Sequence, residues 1–114
     1  MKYVYLFNVE GTDVYKIGIS KNPKKRRPQV QTGCPYKVVE VYRFESKYFN
    51  DIETRLHSQY SLHKIDEYGR ELQGEFFYLS KDDRDMFLEN CRKSEELFLL
   101  LEDNAYVQSK KKTR

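Results

Sequence analysis

The chain has no tryptophan, only two cysteines and two histidines, and no long apolar run. Nothing approaches the roughly 18 consecutive apolar residues that a membrane helix needs, so no membrane partner is expected. Cys34 and Cys91 lie far apart and make no CxxC pair. Both read as reduced thiols of an intracellular protein rather than as a disulfide framework. Cys34, Cys91, His57 and His63 do not form a zinc pattern either. Met1-Lys2-Tyr3 leads straight into a strand pattern without a signal peptide's apolar region. No internal repeat interrupts the chain.

What remains is one domain's length, 114 residues. Apolar content is low at 39%, but ten tyrosines and seven phenylalanines bring large rings that can fill a core. The net charge of +3 hides a division. Residues 1–80 carry 13 basic and 10 acidic side chains, residues 81–103 carry 4 and 8, and the tail from Asn104 adds four cations and no acid. An anionic partner should therefore meet the first 80 residues and the tail, not the segment between them.

Lys2 to Val9 and Val14 to Ile19 have strand composition, joined by a turn at Glu10-Gly11-Thr12-Asp13. Tyr3 and Tyr5 fall on one strand face; Tyr15 takes the opposite face from Lys16 and is expected to pack. Asn22-Pro23 starts a helix, and five of the seven residues from Lys21 to Arg27 are cationic. Pro28 should end or kink this helix. Val38 to Phe44 alternates as a third strand, and a helix is expected from about Lys47 to Ser61. Phe49, Ile52, Leu56 and Tyr60 form its buried stripe, with Glu53 and His57 in a row beside it. His63 to Gln73 reads as a mobile polar loop. Gly74 to Leu79 is a short strand. Ser80 then caps a long helix reaching about Glu102. Its Leu97–Leu101 run must pack on the domain or on a second copy, as in a homodimer. Residues 104–114 read as a basic disordered tail. The class is α/β (α+β), with a small, mainly antiparallel sheet, flanking helices and a long C-terminal helix.

Val4-Tyr5, Lys16-Ile17-Gly18, Arg26 and the later helical Glu53 together resemble the GIY-YIG nuclease superfamily. More closely, they look like its phage, viral and fungal branch with a KIG second motif. Gln31-Thr32-Gly33-Cys34-Pro35, Glu53-Thr54-Arg55-Leu56-His57 and Gly74-Glu75-Phe76-Phe77 fit the same branch. The likeness covers roughly residues 3–80. It implies one nuclease domain over 1–103, acting on DNA with Mg²⁺ or Mn²⁺ inside a cell, or inside a host cell if the source is viral. Tyr5 would orient or deprotonate the attacking water, Arg26 would contact the scissile phosphate, and Glu53 would hold the cation. Lys16 and His57 are assigned to the same site, and Glu75 to a supporting role.

Each residue also has a plain structural reading: Tyr5 as core, Lys16 as an edge charge, Glu53 as a boundary residue, His57 as a satisfied helix histidine. Tyr3 stands where the family has Gly, and Lys16 where it has Tyr. Two rivals to the enzyme follow: a non-cleaving DNA-binding module, or an interaction domain using its C-terminal helix. Lys21, Lys24, Lys25, Arg26 and Arg27 are the expected DNA-binding residues. Cations that neutralise phosphates release counterions, so binding should weaken steeply with salt. Changing Lys24 and Lys25 to Ala should flatten the log–log salt slope by roughly one unit for each phosphate no longer neutralised. An unchanged slope would place the DNA surface elsewhere.

Overall fold

The computed structural model describes the backbone of residues 1–112 and the side chains of residues 1–103. In chain order the elements are β1 (Lys2–Val9), β2 (Val14–Ser20), α1 (Pro23–Thr32), β3 (Val38–Ser46), α2 (Phe49–Gln59), β4 (Phe76–Tyr78), α3 (Lys81–Asp85) and α4 (Phe87–Lys112). The strands form one antiparallel sheet in the order β3-β1-β2-β4. This is the expected small α+β architecture with flanking helices.

Central β1 is covered on both faces, which is why Val4, Tyr5, Leu6 and Phe7 are all buried. Alternation sends Val4 and Leu6 to one side, where they meet Ile17, Ile52, Leu56, Phe77 and Phe87. Tyr5 and Phe7 go to the other, with Val38, Val30 and Cys34. The α2 stripe of Ile52, Leu56 and Tyr60 is buried as its spacing predicts, and so is Tyr15.

Several boundaries differ from the sequence reading. α1 continues through Pro28 to Thr32. Lys24, whose carbonyl loses its helical donor to the proline, is exposed, as is Pro28 itself, so water can serve that group. Asn22 caps the helix by accepting from the Lys25 N–H. α2 is shorter than expected at both ends. The segment from residue 63 to 73 is a closed turn rather than an open loop: Ile65 bridges Glu71, and Asp66 accepts from the Tyr68 and Arg70 N–H groups.

Ser80 does cap a helix, in a reciprocal capping box with Asp83. That helix ends at Met86, however, and the break places Phe87 in the core while Met86 and Leu88 stay exposed. α4 then runs to Lys112, past the expected end at Glu102, because no glycine or proline stops it. The side chains of the basic tail lie outside the described residues. The Leu97–Leu101 run does not pack all round: Phe98 reaches the core, but Leu99, Leu100 and Leu101 are exposed. An amphipathic helix has only one face to bury.

The β1–β2 register sets Tyr5 opposite Gly18. A Cβ on Gly18 would collide with the Tyr5 hydroxyl oxygen and lie 2.5 Å from its ring carbon Cζ. The ring is buried and stacked on Phe7 at 4.0 Å, so it has little room to move. Gly18→Ala should therefore destabilise the protein by about 1–3 kcal/mol. In a Tyr5→Val background the clash is gone, and the better strand propensity of Ala should make the same change neutral or slightly favourable. Urea unfolding of the four proteins tests this; equal costs in both backgrounds would refute the ring-over-glycine packing.

Candidate active site

β4 pairs only with Val14–Lys16, so β2 has no strand neighbour on that side from Ile17 onward. Its edge is served by other groups. The Ile17 N–H donates to the Glu75 carbonyl at 3.1 Å. The His57 Nε2–H donates to the Ile17 carbonyl at 2.9 Å, which fixes the proton on that nitrogen. The His57 ring also packs edge-on against Phe77. Thus α2 and the chain entering β4 converge where the sheet edge is open.

Glu53, one turn before His57, and Glu75 complete the cluster. One ligand atom from each of Glu53, His57 and Glu75 lies within 4.8 Å of the others. Glu53 Oε2 is buried and has no hydrogen-bond partner. Burial, with help from the neighbouring Glu75 charge, pushes the Glu53 carboxyl above its ordinary value; His57 and Lys16 pull the other way. An orphaned carboxylate oxygen beside a second carboxylate and an imidazole is a donor set that suits a divalent cation.

Lys16 shares the sheet face of Tyr5. Its side chain is largely buried, and its ammonium donates to Glu75 Oε2 at 2.6 Å and lies over the Phe76 ring. Burial pushes the Tyr5 phenol above its ordinary value, Arg26 opposes this, and Glu75 and Glu53 reinforce it. Arg26 is half-buried and donates to Gln29 Oε1 at 2.8 Å. Tyr5, Lys16, Arg26, Glu53, His57 and Glu75 are therefore one neighbourhood drawn from five segments.

The basic helix splits its roles. Lys21, Lys24 and Lys25 are exposed. Arg27 instead donates to the Val38 carbonyl at 3.2 Å and joins α1 to β3. Gln31 is also structural: it accepts from the Val38 N–H and donates to the Tyr36 carbonyl, shaping the turn through Gly33-Cys34-Pro35. Sequence reasoning missed Lys64. Its ammonium donates to the Gly74 and Phe76 carbonyls on either side of Glu75, and burial lowers its pKa. Only its place eleven residues before Glu75 hints at this, and spacing across a turn carries no geometry.

Fold and site define a small α+β domain with an acidic and histidine cluster at a sheet edge, next to a cationic helix. The chain belongs to the T5orf172 domain family, whose sequence model matches residues 2–92. That family occurs in phage and bacterial proteins, is related to homing-endonuclease-like folds and is loosely associated with nuclease-like function. No curated protein and no solved structure matches the chain. Among the described residues, no helix is long and apolar enough to cross a membrane.

The raised Glu53 pKa has a stability consequence. The native state holds this proton more tightly than the unfolded chain, so stability falls as pH rises from the ordinary carboxylate range through the raised native value. Without added metal, Glu53→Gln should thus gain thermal stability over wild type at pH 7. The gain should shrink on acidification as Glu53 becomes protonated in both states. A constant difference across pH would mean Glu53 is not in a charge-penalising site.

Proposed function

We propose that the chain is a divalent-metal-dependent endodeoxyribonuclease of the GIY-YIG type. The observation that carries the reading is the unpartnered, buried Glu53 oxygen clustered with His57 and Glu75, near the Tyr5 phenol on which both carboxylates and Arg26 act. Glu53 and Glu75 would hold Mg²⁺ or Mn²⁺, with His57 beside them. When bound, the cation supplies charge neutralisation at the scissile phosphodiester and promotes formation of the nucleophile.

The chain's own groups divide the remaining work. Arg26 binds a non-bridging phosphate oxygen and orients the strand. The Tyr5 phenol, with its pKa raised, is neutral at physiological pH and so orients the attacking water by hydrogen bonding rather than standing as a stored base. Lys16 holds the Glu75 carboxylate through their ion pair. Lys64 fixes the backbone on both sides of Glu75. The exposed cations of α1 extend the phosphate-binding surface along the DNA.

One observation favours a second reading. Lys16 already occupies Glu75 Oε2, and an ammonium there can stand in for part of a metal's charge. With Lys16 where the GIY-YIG superfamily has a tyrosine, the domain would then bind DNA without cutting it.

Plasmid nicking with Mg²⁺, with and without chelator, separates the two. On the nuclease reading, nicking requires metal, and Glu53→Gln lowers it by orders of magnitude because the missing interaction matters most in the transition state. DNA affinity should persist or tighten, since a negative charge near the phosphates has gone. Metal-independent retardation with no nicking of any DNA form would leave the binding module standing. Undiminished cleavage by a folded Glu53→Gln protein would refute the site.

A further inference from the structure

A cavity of about 310 Å³ adjoins the site on the α1 face of the sheet. Lys16 and Arg26 form its cationic side. Val30, Cys34, Pro35 and Phe76 give it apolar walls. It is open to solvent, and Arg26 on its wall is the residue that the phosphate reading uses.

We propose that this cavity receives an unpaired nucleobase adjoining the phosphate held by Arg26, which makes DNA with an unpaired nucleotide the preferred substrate class. The inference rests on the DNA reading above and adds a site to it. A phosphate on Arg26 confines the attached sugar and base to its surroundings. Phosphate contacts position a strand but carry no information about the base. Beside them lies a recess whose apolar walls suit the flat faces of a base. At its rim, Gln29 uses its Oε1 to accept from Arg26, which leaves its amide N–H groups to donate to a base edge. A paired, stacked base cannot enter such a recess without leaving the duplex. The cost of extrusion is least where the nucleotide is already mismatched, bulged or single-stranded. Stacking on apolar and aromatic walls accepts any base, so the expected preference is for DNA structure rather than sequence.

Cys34 makes the cavity directly observable. The other cysteine, Cys91, is fully buried, and burial pushes its thiol up to about 12, so a thiol reagent reports on Cys34. The full chain is mixed, in EDTA to prevent cleavage, with three labelled duplexes: one with a single bulged nucleotide, one with an abasic residue at the bulge, and one fully paired. Anisotropy gives the affinities, and the rate of Cys34 modification at saturating DNA gives protection. The bulged base should bind about fivefold or more tighter than the abasic bulge. It alone should strongly slow Cys34 modification. Equal affinity and equal protection for the base-bearing and abasic bulges overturn the base site while leaving DNA binding intact. Failure of all three duplexes to bind overturns this proposal together with the reading beneath it.

Discussion

Ile17 sits fully buried on a strand edge, and its N–H and C=O both need partners there. β4 stops one residue short of supplying them. The Glu75 carbonyl serves one group and the His57 ring the other. Those two bonds bring α2 and the chain before β4 to the same point. Glu53, a turn from His57, and the Glu75 carboxylate arrive with them. The two acids share a site because both of their segments serve the same residue of the sheet edge.

The second constraint is charge. Burial raises the Glu53 pKa most, and repulsion from the neighbouring Glu75 carboxylate adds to it. His57 and Lys16 offset part of it, but the one bond Lys16 makes goes to Glu75, at 2.6 Å, and Glu53 Oε2 is left without a partner. Stability alone would favour a neutral residue at position 53. On the proposed nuclease reading, a divalent cation would supply the compensation that His57 and Lys16 give only in part. The acidic surplus of residues 81–103 belongs to α3 and α4, whereas the cations of α1 stand on the Tyr5 face. The division of charge along the chain thus follows the division between helices.

The places where local rules misled share a cause. Pro28 removes one donor, but an exposed helix can lend the freed carbonyl to water, so α1 continues. The Ser80 cap was legible because capping is local; the break at Met86 was not, because it depends on where Phe87 finds the core. The leucine run looked uniformly apolar, yet its burial depends on which side of α4 faces the sheet, and residues 99–101 face away.

Element order as far as β4, the sheet-forming strands and the buried stripe of α2 are legible in the residues alone. They follow from periods of two and 3.6 residues, from caps, and from side-chain type. Gly18 is marked there too, but the reason for it is the Tyr5 ring across the register. It takes the folded chain to put Glu53 and Glu75 in one site, to send Arg27 to β3 while Arg26 meets Tyr5, and to brace the chain beside Glu75 with Lys64. Each is a contact between segments distant in sequence or a choice between adjacent side chains, set by strand register, helix rotation and the unpaired edge at Ile17.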